Sequence, residues 1–99
     1  MKDGAYILAY DVGTTAVKTC LYYIDSGIEL IASAGKGYPL TVLPNGGAEQ
    51  QPDDWWEAMC VTTKQVLAES GISPEAVEGL SFCSQMQGLV LVDENGTPV

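Results

Sequence analysis

The stretch Ala5-Tyr6-Ile7-Leu8-Ala9-Tyr10-Asp11-Val12-Gly13-Thr14-Thr15-Ala16-Val17-Lys18-Thr19-Cys20-Leu21-Tyr22-Tyr23-Ile24 decides the fold. Residues 5–10 are apolar or aromatic with little alternation, the pattern of a strand covered on both faces. Asp11-Val12-Gly13-Thr14-Thr15 interrupts that run, and Gly13 supplies the backbone freedom for a tight reversal. Strand character resumes over residues 17–24 and stops at Asp25-Ser26-Gly27, a second turn. Residues 28–34 form a third strand. Short turns join the three strands, which predicts an antiparallel meander.

The strand pattern stops over residues 35–51, where Gly35, Gly37, Pro39, Pro44, Gly46 and Gly47 punctuate a loop. Tyr38, Leu40, Val42 and Leu43 lie in it and want burial. Pro52-Asp53-Asp54 opens a helix, with proline at a first helical position and two acids at the positive end of the macrodipole. Trp55 or Trp56, Met59, Cys60, Thr63, Val66 and Leu67 recur at three- and four-residue spacing as its apolar stripe, and Gly71 ends it. Ser73 caps a single turn beginning at Pro74. Residues 77–83 form a fourth strand, which a helical connection should lay parallel to a strand of the meander. Asn95-Gly96 signals a hairpin between residues 88–92 and the arm starting at Thr97. The chain stops one to three residues into that arm, so the polypeptide is expected to continue. The order is β-β-β-α-β and a hairpin: an α/β fold.

Composition narrows the function. The 99 residues carry four Lys and Arg against thirteen Asp and Glu, a net charge of −9 with no His. Such a chain lacks the basic patches that nucleic acids and anionic membranes require. The 46% apolar content is enough for a core, unlike that of a disordered acidic chain. Cys20, Cys60 and Cys83 are odd in number and contain no CxxC pair, so they are expected as buried small hydrophobes in a reducing compartment. The absence of His and CxxC argues against structural zinc. Neither a signal peptide nor a run of about 18 apolar residues occurs, which places the chain in the cytoplasm and away from membranes.

Two segments carry candidate chemistry. At the first turn, the Asp11 carboxylate can hold Mg²⁺ directly or through water. The backbone N–H groups and hydroxyls of Gly13, Thr14 and Thr15 can meet phosphate oxygens. Lys18, just beyond the turn, can neutralise a phosphate. The same residue types also suit a plain hairpin whose aspartate caps its own turn. Neither a GxxxxGK[ST] loop nor a GxGxxG fingerprint is present. At the end of the fourth strand, Gln85 and Gln87 can exchange hydrogen bonds with hydroxyls of a polyol or sugar, with Met86 against its apolar face. A polar strand-end turn with Met86 in the core fits equally. Glu49-Gln50 reads best as scaffolding for the loop. One of Trp55 and Trp56 belongs to the core, and the other covers the loop or a pocket. Asp93 reads as a solvated turn residue.

These segments resemble the FGGY carbohydrate kinases. Asp11-Val12-Gly13-Thr14-Thr15, with Lys18 three residues on, looks like that family's first phosphate motif. Gly46-Gly47-Ala48-Glu49-Gln50-Gln51-Pro52-Asp53-Asp54-Trp55-Trp56 is similar to its GGxEQ-x-P-x-x-WW segment. Ser84-Gln85-Met86-Gln87-Gly88-Leu89-Val90-Leu91-Val92-Asp93 resembles its SGQMHGLVLLD stretch, most closely that of the xylulose kinases. All three come in family order at family spacing, over nearly the whole chain. The resemblance implies a ribonuclease-H-like (actin-like ATPase) N-terminal half, with residues 1–99 forming part of the first of two domains around a cleft for ATP, Mg²⁺ and sugar.

It further implies that Asp11 lies near Mg²⁺, that Gly13, Thr14 and Thr15 line the phosphate turn with Lys18 beside it, and that Met86 and Gln87 contact the sugar. The family's catalytic Asp would lie beyond residue 99, so the isolated chain is expected to be inactive. In the intact enzyme the implied reaction is phosphorylation of D-xylulose to D-xylulose 5-phosphate. Gln87 stands where xylulose kinases usually carry His. Ribulose, fuculose or glycerol as acceptor, or a non-catalytic actin-like nucleotide-binding domain, are the alternatives. An uncovered sheet edge is expected on the isolated chain, which should be either marginally stable or a homodimer through that surface.

Overall fold

The computed structural model describes residues 4–85 and 88–99, so the expectations for Met86 and Gln87 lie outside the described residues. Three strands, β1 (Ala5–Val12), β2 (Ala16–Ile24) and β3 (Ile28–Gly37), form the predicted antiparallel meander. A helix, α1 (Pro52–Ser70), and a 3-10 turn (Pro74–Ala76) follow, before β6 (Val77–Ser84). The sheet order is β3-β2-β1-β6. A parallel partner for β1 cannot be reached by a tight turn, and α1 carries the chain back across the sheet to it.

The alternation of β1 and β2 decides which face α1 covers. Leu8 pairs with Leu21, Tyr10 with Thr19 and Val12 with Val17. Leu8, Tyr10, Val17 and Leu21 are buried with Ala58 and Val66 of α1 in one core. The opposite face carries Ile7, Ala9 and Asp11, and among the described residues no helix lies over it. The expectation of a strand covered on both faces therefore holds for one face only. Two buried hydroxyls pin the layers together. Thr19 and Thr62 are 0% exposed, with their oxygens 2.7 Å apart. The Thr62 hydroxyl donates to the Ala58 carbonyl, which leaves Thr19 as donor to Thr62.

Several elements depart from the sequence reading. Val66 is buried in the helix stripe as expected, but the other buried positions are Ala58 and Thr62, where small side chains let α1 approach the sheet closely. Trp56 points to solvent at 67% exposure, and Trp55 is half-buried. Strand β3 runs three residues beyond Ala34, because Gly35 and Gly37 still pair with Lys18 and Ala16. The expected loop contains a small ribbon, β4 (Thr41–Val42) against β5 (Ala48–Glu49). Its turn is built on Asn45-Gly46, the same dipeptide signal that marks the last hairpin. Leu40 and Val42 stay exposed, against expectation, because the ribbon does not pack them on the core. Gly71 does end α1, in the left-handed region at φ 73°. The Ser73 hydroxyl makes no cap bond and instead donates to the Glu75 carboxylate at 2.9 Å.

Cysteine burial also needs correction. All three thiols are free, but Cys83 is exposed, and Cys20 and Cys60 are half-buried. Cys83 sits on the edge strand, on the face that α1 does not cover. On the helix side of that strand, α1 lies mainly over β3 and β2 and leaves Leu80 and Phe82 uncovered, at 59% and 57% exposure. Leu89, Leu91 and Val92 of the last hairpin are exposed as well. Among the described residues, no helix is long and apolar enough to cross a membrane.

Thr62→Val orphans the buried Thr19 hydroxyl and should destabilise the fold by about 1–3 kcal/mol. Thr19→Val with Thr62→Val removes both polar groups and should cost less than Thr62→Val alone. Equilibrium urea unfolding reads the order of the two variants.

Candidate functional site

Strand β1 delivers Asp11 to the carboxyl end of the sheet, one residue before the turn. Its neighbours are Lys18 on β2 and Cys83 on β6. Asp11 and Lys18 are both exposed, as a ligand site requires. The turn itself closes with the Gly13 N–H donating to the Ala16 carbonyl at 3.0 Å. Gly13 is needed there for closeness of approach: its φ is not positive, and an added Cβ would lie 3.1 Å from that carbonyl. This replaces the sequence-based reason, which was conformational freedom.

Three carbonyls in the turn are held from the scaffold side. The Tyr38 hydroxyl, just past β3, donates to the Gly13 carbonyl. The Tyr38 backbone N–H donates to the Thr15 carbonyl at 3.1 Å. The Gln50 side-chain amide donates to the Thr14 carbonyl at 2.5 Å. In a planar trans peptide the C=O and the following N–H point in opposite directions. Capturing the Gly13 and Thr14 carbonyls therefore turns the Thr14 and Thr15 N–H groups the other way. Successive N–H groups presented like this make an anion-binding concavity. Among the described residues, no N–H or O–H of this turn donates to the Asp11 carboxylate. Asp93 behaves differently: its Oδ1 accepts the N–H of Asn95 at 2.8 Å and of Thr97 at 3.0 Å, so it caps its own turn.

Gln50 is the junction of the site. Its Oε1 accepts the Trp55 indole N–H and the Gln85 side-chain amide, both at 3.1 Å. Gln85 is also fixed through its backbone N–H, which donates to the Val12 carbonyl at 2.9 Å. The structure thus joins the end of β1, the first turn, the start of α1 and the end of β6. The side-chain amide of Gln85, a residue expected at the sugar, gives an N–H to Gln50. Glu49 is exposed in β5 and takes no part in the junction.

On the helix-free face, a concavity of about 330 Å³ is lined by Asp11, Lys18, Tyr22, Ser81 and Cys83 among others. Burial, with the nearby Asp11 charge adding to it, pushes the Tyr38 hydroxyl above its ordinary value. The described residues contain no group of three His, Cys, Asp or Glu side chains arranged for a metal. The donor set fits Mg²⁺ of the kind that arrives with phosphates. Such an ion takes one or two carboxylates and completes its shell with phosphate oxygens and water, and Asp11 can supply the carboxylate. Sequence reasoning missed Tyr38 as a clamp and saw only scaffolding in Gln50. A tyrosine immediately after a glycine-rich strand end was the available signal.

The raised Tyr38 value has a definite sign. Its protonated form is favoured in the fold, so its stabilising contribution is fully present below the unfolded value of about 10. It is lost as pH climbs through the higher folded value. The tyrosinate absorbance lost in Tyr38→Phe should belong to a group that titrates later than an ordinary tyrosine, and the variant should lack that alkaline loss of stability.

Comparison with known proteins agrees with this architecture. Residues 6–99 match the model of the FGGY family of carbohydrate kinases, N-terminal domain. The chain is 33% identical over 90 residues to the xylulose kinase of Bacillus subtilis, covering 91% of this chain and 18% of that protein. The gluconate kinase from Lactobacillus acidophilus superposes with a TM-score of 0.84 at 31% identity, over 97% of this chain and 18% of that one. The ligand-bound xylulose kinase from the same organism gives 0.83 at 32% identity, over 96% and 18%. The chain thus spans less than a fifth of the length of each of these three relatives. It belongs to the FGGY family of carbohydrate kinases, and its mixed sheet, crossover helix and hairpin are those of the family's actin-like N-terminal domain.

Proposed function

We propose that the full-length protein is an ATP-dependent sugar kinase, and that residues 1–99 supply its first phosphate turn and one wall of its sugar site as part of the N-terminal domain. The observation that carries this reading is the turn at residues 13–15, whose carbonyls are held from behind while Asp11 and Lys18 stand beside it. The N–H groups of Thr14 and Thr15, the two threonine hydroxyls and the Lys18 ammonium receive phosphate oxygens of ATP. The Asp11 carboxylate holds Mg²⁺, directly or through water. When bound, that ion neutralises charge on the phosphates during transfer. Fixed dipoles of this kind need no reorganisation as charge shifts towards the leaving phosphate. The base that takes the proton from the attacking sugar hydroxyl lies beyond residue 99.

Met86 and Gln87 are assigned to the sugar by their match to the family's third motif, with Gln85 as neighbour. D-xylulose is the favoured acceptor, on the similarity to xylulose kinases. The similar gluconate kinase and the glutamine at position 87 keep other sugars and polyols in the comparison. Gln87 can donate and accept hydrogen bonds but cannot take up a proton near neutrality as His can. The cytoplasm is the proposed location, and the three free cysteines suit it. The uncovered flank at Leu80 and Phe82 is the surface through which an isolated chain would form a homodimer.

A phosphorylation screen of the full-length protein over xylulose, ribulose, fuculose, glycerol and gluconate tests the reading. Xylulose should give the highest kcat/KM, and residues 1–99 alone should turn over none of them. Asp11→Asn should lower kcat by about 10²- to 10³-fold, with the fold retained by circular dichroism. Near-normal turnover in Asp11→Asn would remove Asp11 from the site.

A further inference from the structure

We propose that Gln50 is a positioning residue that couples the phosphate turn to the sugar-side end of β6, so that order at one is felt at the other. The inference rests on the kinase reading above and extends it to a residue that contacts neither substrate. One side chain makes three bonds of opposite polarity. Its Nε2 donates to the Thr14 carbonyl, and its Oε1 accepts from Gln85 and from Trp55. Thr14 lies in the turn that aims N–H groups at phosphate, and Gln85 immediately precedes the Met86-Gln87 pair. An amide is the group that can serve both sides, because it carries a donor and an acceptor on one rigid plane. Trp55, in the first turn of α1, fixes that plane against the helix. A shift of the β6 end therefore pulls on the amide that holds the Thr14 carbonyl, and the Thr15 N–H moves with its own peptide plane.

The chemistry predicts a split that a merely structural residue would not give. Gln50→Glu keeps the acceptor for Trp55 and Gln85 but loses the donor to Thr14. It should weaken Mg-ATP binding about three- to tenfold with sugar KM nearly unchanged. Gln50→Ala loses both sides and should raise both constants, so the glutamate variant restores the sugar side alone. Equal loss on both sides in the two variants would overturn the proposal.

A second measurement does not depend on turnover. In the full-length protein, Gln85→Ala should speed amide hydrogen exchange at Gly13, whose N–H closes the turn on the Ala16 carbonyl. In a Gln50→Ala background the same substitution should add nothing there. An effect of Gln85→Ala of the same size in both backgrounds would sink the coupling. A wild-type protein that phosphorylates no sugar would instead sink the kinase reading, and the exchange cycle would still decide the coupling.

Discussion

The structure depends on where the carbonyl oxygens of one tight turn are satisfied. A reversal between two strands exposes peptide groups that the ladder no longer pairs, and water or side chains must take them. Here the Gly13, Thr14 and Thr15 carbonyls are taken by Tyr38 and Gln50. Peptide planarity then orients the opposite pole of each group without further side chains. A chain with four basic residues and a net charge of −9 needs such a device if it is to hold an anion. Backbone dipoles are able to attract an anion locally where the overall charge of a chain does not.

The rest of the fold can be seen as what keeps those two clamps in place. Tyr38 reaches Gly13 because β3 continues through Gly35 and Gly37 against β2, which sets the next residue beside the turn. Gln50 reaches Thr14 because the β4–β5 ribbon consumes the connection and returns the chain to the start of α1. The helix in turn is seated by Ala58, Thr62 and Val66 over the same face that buries Leu8, Tyr10, Val17 and Leu21. Core packing thus sets the position of polar groups at one end of the sheet.

How far the sequence revealed this differs between levels. Periodicity and turn residues identified the meander, the helix with its Pro52 start and Gly71 stop, and the parallel strand after it, because those signals are local. They failed between residues 35 and 51, where glycines and prolines that mark turns also sit in short paired strands. The repeat of Asn-Gly at residues 45–46 was legible and went unused. The helix stripe was right at Val66 but set one residue late at Met59 and Thr63, because the large side chains drew it away from the small Ala58 and from Thr62, whose hydroxyl is matched by Thr19 and by the Ala58 carbonyl. Asp11 and Lys18 were legible as neighbours of the turn from their order along a hairpin. The clamps by Tyr38 and Gln50 were not, since they join residues 25 and 36 positions apart and no local pattern encodes such pairings.

The two adjacent indoles have unequal fates, and this gives the molecule an internal optical probe. Trp55 donates to the same amide oxygen that receives Gln85, while its neighbour Trp56 stands mostly in solvent. Emission from the first ring therefore senses the polarity and rigidity of the junction, and the second supplies a nearly constant background. Replacing Trp56 with phenylalanine would leave Trp55 as the one indole of residues 1–99, reporting the junction from within under excitation selective for indole, with no label attached.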